Sequence, residues 1–178
     1  MSRHSASSAA CRRSTARRCS RDTIAHSQPT SAEEAKTRGN FHFKQGDFEA
    51  AIQLYRESLS LLEEGGEALD LDQQRELRST LLVNTAECQR QLGDYESVIA
   101  LCTKAISAAP EMAKKRRSPQ TLKAYLRRGL ALEKLEKFSD AKTDFRVALE
   151  LDPTNHIASA ALVRCAKSSQ VRATSSDL

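Results

Sequence analysis

Five polar side chains are spaced so that together they could bind carboxylates. Lys36 and Asn40 are four residues apart, as are Lys123 and Arg127, so each pair shares one helix face. Asn84 lies in the stretch between the two pairs. Cations supply charge to a carboxylate, and amides donate directional hydrogen bonds to it. With no acid expected among them, these side chains predict a receptor for the two carboxylates of a peptide that ends in Asp.

The five residues lie within a sequence pattern that occurs three times. With a unit of about 34 residues, the repeats begin near Ala32, Ser79 and Leu122. Each unit has a small residue in its first half and an aromatic residue nine positions later. The small residues are Gly39, Ala86 and Gly129, and the aromatic residues are Phe48, Tyr95 and Phe138. This repetition is typical of stacked helical hairpins, which favours binding over catalysis.

The apolar spacing predicts helices and no strands. We expect helices near 31–45, 47–62, 71–91, 94–108, 119–136 and 138–150, and a seventh, capping helix over about 154–169. Ser31 is the expected N-cap of the first helix, and Ser139 with Asp140 is at a similar position in the sixth. Extra residues at 64–78 should lengthen the flanking helices around a turn at Gly65-Gly66.

Over roughly residues 32–153 this pattern resembles the tetratricopeptide repeat (TPR). The resemblance implies an all-α fold, an α-solenoid of three TPR hairpins at about 32–63, 79–110 and 122–153, closed by the C-terminal capping helix. The first helix of each hairpin then lines a groove. The predicted TPR domain spans residues 31–170, between segments 1–30 and 171–178 that are predicted to be disordered.

Within that family, the five polar residues are similar to the two-carboxylate clamp of co-chaperone TPR domains. The clamp pattern has Lys and Asn around the first small residue, matched by Lys36 and Asn40, and an Asn before the second, matched by Asn84. It has Lys and Arg flanking an aromatic residue in the third repeat, matched by Lys123 and Arg127. The resemblance implies binding to the Glu-Glu-Val-Asp tails of the seventy- and ninety-kilodalton heat-shock chaperones.

The first 30 residues have a different composition. They contain six Arg and one acid, Asp22, so they carry a net charge that matches the +5 of the whole chain and leave the rest about neutral. Few large apolar residues occur there, which predicts disorder. An organelle transit peptide or contact with nucleic acid are alternatives. The run Lys114-Lys115-Arg116-Arg117 is similarly a solvated loop or a nuclear-import patch.

The remaining reactive residues do not form a motif for catalysis or metal binding. The five Cys have no zinc or redox spacing, and Cys88 and Cys102 fall on predicted core faces. The four His are scattered; His42 is on an inner helix, where packing or solvent exposure is favoured over ligand contact. We therefore expect no enzyme, no cofactor and no metal.

Two functions remain open from the sequence. The first is a co-chaperone or adaptor whose groove binds a chaperone tail while another surface recruits an unknown client. The alternative is a scaffold subunit that binds a different peptide or helix in a multiprotein or ribonucleoprotein assembly. We expect a cytoplasmic protein that contacts neither membrane nor nucleic acid, with nuclear or organellar targeting by the Arg-rich segment as the alternative.

Overall fold

A computed structural model describes residues 28–64, 69–109 and 118–175, with side chains as far as Ser169. The compact unit that contains the described helices begins at Ser31. The predictions for residues 1–27, for the Gly65-Gly66 turn, for the basic run at 114–117 and for residues 176–178 lie outside the described residues.

Seven helices and no strand occur in the described ranges, which confirms the all-α prediction. They are α1 (Ala32–Gln45), α2 (Phe48–Glu63), α3 (Leu71–Leu92), α4 (Tyr95–Ala108), α5 (Pro119–Lys134), α6 (Phe138–Leu151) and α7 (His156–Ser175). Consecutive helices pack as three hairpins, the hairpins stack in chain order, and α7 packs on α6. The fold is therefore an α-solenoid with a C-terminal cap. Within the described ranges, no helix combines the length and the apolar character needed to cross a bilayer.

The turns inside the first two hairpins follow from a Gly-Asp pair. Gly46 and Gly93 have φ of 82° and 83°, a left-handed conformation that glycine adopts without steric cost. Asp47 and Asp94 then cap the following helices by accepting hydrogen bonds from the backbone N–H three residues on. The third hairpin lacks this pair, and Glu136 takes the left-handed position with φ of 59°. The turn geometry is thus kept even where its sequence signal is absent.

Several predicted helix ends need correction. Ser31 caps α1, as expected, by accepting a hydrogen bond from the Glu34 N–H at 3.1 Å. The expectation for Ser139 was wrong, because α6 begins at Phe138 and Lys137 occupies the N-cap without a side-chain hydrogen bond. Helix α5 ends at residue 134 rather than 136. Helix α7 continues to residue 175, past the predicted end at 169 and into the segment predicted to be disordered, because no Gly or Pro interrupts it.

The first insert lengthens the second hairpin. Helix α3 has 22 residues and begins at residue 71, as predicted, so much of the insert adds turns to its N-terminal end. Asp70 and Gln73 form a capping box, with Asp70 Oδ1 accepting from the Gln73 N–H at 2.8 Å and Gln73 Oε1 accepting from the Asp70 N–H at 3.1 Å. This reciprocal cap fixes the start of the extended helix.

Close approach at the small residues holds the hairpins together. A Cβ placed on Gly39 would lie 2.6 Å from a ring carbon of Tyr55, and one on Gly129 would lie 2.8 Å from a ring carbon of Phe145. Both rings are almost fully buried. Cys88 and Cys102 are also fully buried, which confirms their placement on core faces. The pairing of glycine with an aromatic ring therefore sets the distance between the two helices of the first and third hairpins.

The capping helix closes the third hairpin. Ala158, Ala161 and Cys165 are fully buried in one cluster with Phe145. Arg164 adds a bidentate ion pair to Glu133 of α5, at 2.7 and 2.8 Å. The apolar face of α6 that would otherwise be open is thus covered, as terminal repeats of a solenoid require.

Gly129→Leu should destabilise the third hairpin. The new side chain would have to displace the buried Phe145 ring, so we expect the free energy of unfolding to fall by about 3 kcal/mol or more. Lys134→Leu is the control, because it introduces the same side chain at an exposed position of the same helix. Urea denaturation of both variants measures the effect, and equal stabilities would contradict the packing described.

Candidate functional site

Three of the five predicted site residues meet between the first helices of the hairpins. Asn40 of α1, Asn84 of α3 and Arg127 of α5 line one small cavity of about 80 Å³. Phe43, Tyr55 and Glu87 complete its walls. Residues more than 80 positions apart in sequence are thus brought to one place by the stacking of the hairpins.

The two asparagines are linked to each other and to the core. The Tyr55 hydroxyl donates a hydrogen bond to Asn40 Oδ1 at 2.8 Å, and Asn84 Nδ2 donates to the same oxygen at 3.3 Å. Burial raises the pKa of the Tyr55 hydroxyl to about 12, so it stays protonated and able to donate at neutral pH. Because Asn40 Oδ1 accepts both bonds, its Nδ2 group is oriented to donate elsewhere. The arrangement presents an amide donor to the cavity.

Arg127 is held by two contacts to α3. Its Nη1 donates to the Val83 carbonyl oxygen at 2.5 Å, and its Nε lies 2.9 Å from Oε2 of Glu87. The Arg127 side chain is 20% exposed and that of Glu87 is 16% exposed, so this ion pair is largely shielded from water. The guanidinium group is therefore fixed in position at the cavity.

Glu87 corrects the expectation that no acid lies among the site residues. Its Oε1 accepts hydrogen bonds from Arg90 Nη2 at 2.6 Å and from Gln91 Nε2 at 3.0 Å, while Oε2 pairs with Arg127. Burial by itself raises the pKa of the Glu87 carboxyl, but the hydrogen bond from Arg90 and the charges of Arg127 and Arg90 outweigh it. The pKa lies below its usual value, and the group is ionised at neutral pH. The cavity thus contains a permanent negative charge.

The two lysines flank the cavity without lining it. Lys36 is one helical turn before Asn40, and its Nζ lies 2.6 Å from Oε1 of Glu33. Glu33 is therefore a second acid, after Glu87, that pairs with a predicted site residue. Lys123 is one turn before Arg127, is exposed, and has no ion pair within the described part of the chain. A ligand that reached both lysines would extend beyond the cavity itself.

Sequence reasoning missed Tyr55 and Glu87 as members of the site. Tyr55 is at a repeat position whose equivalents are Cys102 and Phe145, and among these three residues it alone carries a hydroxyl. Glu87 follows Asn84 by three residues, so helical spacing already placed it on the same face. His42 does not line the cavity; its Nδ1 lies 3.2 Å from Oδ2 of Asp47.

A larger cavity of about 560 Å³ lies further along α3 and α5. Its walls include Arg90, which is one turn beyond Glu87 on α3, and Leu130, which is one turn beyond Arg127 on α5. Tyr95 and Phe138 add aromatic surface, and Glu133 adds charge. The two cavities follow one another along α3 and α5, as an extended ligand would require.

Parts of this chain are similar in sequence to a known repeat family and to known proteins. The tetratricopeptide repeat family models match residues 37–61 and 122–155. The mitochondrial import receptor subunit TOM34 of Rattus norvegicus is 35% identical over 130 residues, which is 73% of this chain and 37% of that protein. The chain therefore spans little more than a third of that relative's length.

Solved TPR domains resemble this chain over nearly all of their own length. The Arabidopsis OM64 TPR domain is 30% identical, with a TM-score of 0.61, over 76% of this chain and 94% of that domain. The first TPR domain of Spaghetti (RPAP3), bound to the HSP90 peptide SRMEEVD, is 26% identical with a TM-score of 0.63 over 82% and 98%. The second TPR domain of human RPAP3, in complex with the HSP70 peptide SGPTIEEVD, is 29% identical with a TM-score of 0.58 over 75% and 93%.

Tyr55→Phe tests the contact between core and cavity. Loss of the hydroxyl removes one hydrogen bond to Asn40 while keeping the ring against Gly39, so we expect the free energy of unfolding to fall by about 1 kcal/mol. Tyr95→Phe is the control, because its hydroxyl makes no hydrogen bond within the described ranges. Thermal and urea unfolding measure the difference; identical losses in both variants would mean that the Tyr55 contact contributes nothing specific.

Proposed function

This chain belongs to the tetratricopeptide repeat family, and on that premise we propose that it binds the acidic C-terminal peptide of heat-shock chaperones through a carboxylate clamp. It would act as a co-chaperone or adaptor rather than as an enzyme. The proposed clamp consists of Lys36, Asn40, Asn84, Lys123 and Arg127.

The convergence of Asn40, Asn84 and Arg127 from three helices is the observation that carries this proposal. Together they offer amide and guanidinium donors at one point, which suits a carboxylate ligand. Lys123 is exposed beside them and free to add a second cation. The larger cavity one turn further along α3 and α5 supports an extended peptide, whose preceding residues would lie there, over a small carboxylic acid.

The similar domains support chaperone tails as the partners. Two TPR domains that resemble this chain over most of their length are described with bound HSP90 and HSP70 peptides, and both peptides end in Glu-Glu-Val-Asp. We propose the same class of ligand here, with both chaperone classes as candidates.

A peptide ending in Glu-Glu-Val-Asp should bind with a Kd on the order of micromolar, corresponding to about −8 kcal/mol. The affinity should fall as salt is added, because charged contacts in a partly solvated groove are screened. The same peptide with a C-terminal amide is the matched control, and isothermal titration calorimetry measures both. Equal binding of the two peptides, or no binding of either, would contradict the clamp.

Lys123→Ala should weaken binding of this peptide by about 2 kcal/mol, since bound carboxylate would lose a cationic partner. Folding should be unaffected, because the side chain is exposed. Lys104→Ala, which removes an equally exposed cation from α4, is the control and should leave the affinity unchanged. Similar losses in the two variants would indicate nonspecific attraction by net charge instead of a defined site.

We propose the cytoplasm as the place of action, with the mitochondrion as the alternative that the relationship to an import receptor subunit raises. Localisation of a fluorescent fusion, with and without residues 1–30, distinguishes the two. A diffuse signal from both forms supports the cytoplasm. A mitochondrial signal that is lost on deletion would assign targeting to the Arg-rich segment.

A further inference from the structure

Glu87 is an acidic residue inside a site that is proposed to bind acids. Its side chain is 16% exposed and lines the same cavity as Asn40, Asn84 and Arg127. Its carboxylate lies between two guanidinium groups: Arg127 contacts Oε2, and Arg90 donates to both oxygens, with its shortest bond to Oε1. A carboxylate that enters the cavity would therefore meet a fixed charge of its own sign.

The contacts of Arg127 show what this charge does to the site. Nε of Arg127 is paired with Glu87, and Nη1 donates one of its two hydrogens to the Val83 carbonyl, so two of the five N–H donors are engaged before any ligand arrives. A ligand carboxylate can use the other donors on Nη1 and Nη2, but it reaches the Nε side of the guanidinium only by displacing Glu87. Arg90 and Gln91 both hold Oε1 of Glu87, which opposes its displacement. Glu87 thus occupies part of the capacity of Arg127 for a carboxylate.

We propose that Glu87 is a specificity-determining residue that weakens carboxylate binding by holding Arg127 in a preformed ion pair. This inference rests on the proposed function, in which Arg127 receives a carboxylate of the peptide. Repulsion from Glu87 opposes the approach of any anion, so the ligand must compensate through its other contacts. The chain would then hold a chaperone tail less tightly, and release it more readily, than its five clamp residues alone would allow.

Glu87→Gln separates charge from shape. Glutamine keeps the size of the side chain and an oxygen that can accept from one arginine, but it removes the negative charge. The peptide ending in Glu-Glu-Val-Asp should bind this variant about three- to tenfold more tightly than the wild-type chain, measured by calorimetry at low salt. The dependence of the affinity on salt should become steeper, because the cavity gains one net positive charge.

Asp144→Asn is the matched control. Asp144 is 5% exposed and forms a bidentate pair with an arginine, Arg128, so the substitution removes the same charge from a shielded ion pair that lines neither cavity. We expect less than a twofold change in peptide affinity. An equal gain in both variants would reflect overall charge and would overturn the assignment to Glu87.

The outcomes separate this inference from the function on which it rests. If the wild-type chain binds the peptide and Glu87→Gln binds it equally or more weakly, Glu87 does not lower the peptide affinity and only this inference fails. If neither protein binds the peptide, both the proposed function and this inference fail. Tighter binding by Glu87→Gln alone supports both.

A measurement on the wild-type chain covers the case in which Glu87→Gln does not fold. The Nε–Hε signal of Arg127, assigned with Arg127→Lys, should exchange slowly with water in the free protein because Glu87 shields it. Added peptide should shift this signal. Rapid exchange in the free protein would overturn the proposed ion pair.

Discussion

The close approach of α1 and α2 at Gly39 is the constraint on which the site depends. Because Gly39 has no Cβ, the Tyr55 ring can lie against the helix backbone, at a distance that any larger residue would exclude. The hydroxyl at the far end of this ring then reaches Asn40, the next residue along α1. Core packing and the orientation of a groove-facing amide are thus set by one contact, and Asn84 is aligned through the same amide oxygen.

Charge at the proposed clamp is balanced rather than uniformly positive. Arg127 is paired with Glu87, and Lys36 with Glu33, so two of the three cations of the proposed clamp have acidic partners in the free protein. A buried, unpaired guanidinium is costly, and the pair with Glu87 lowers that cost while fixing the Arg127 side chain. The same pairs reduce the attraction for an incoming anion. The acidic partners therefore fix the cationic side chains in position and, at the same time, lower the affinity of the site for a carboxylate ligand.

Much of the fold could be predicted from the sequence because small residues, turns and apolar spacing act locally and recur three times. The helix bounds agree within about two residues except at α7, whose end carries no Gly or Pro to mark it. Asn40, Asn84 and Arg127 could be placed together because each has a fixed position in its repeat. Helical spacing puts Glu87 on the same face as Asn84, but its pairing with Arg127 and the hydrogen bond of the Tyr55 hydroxyl could not be predicted, because both depend on side-chain contacts between helices.

The central claim is that the groove between α1, α3 and α5 recognises carboxylates, and side-chain NMR tests it most directly. Titration with a Glu-Glu-Val-Asp peptide should shift the amide NH₂ signals of Asn40 and Asn84, whereas the same peptide with a C-terminal amide should leave them nearly unchanged. If the peptide binds but these signals stay in place while those of other surfaces move, the binding site lies elsewhere and the account is contradicted.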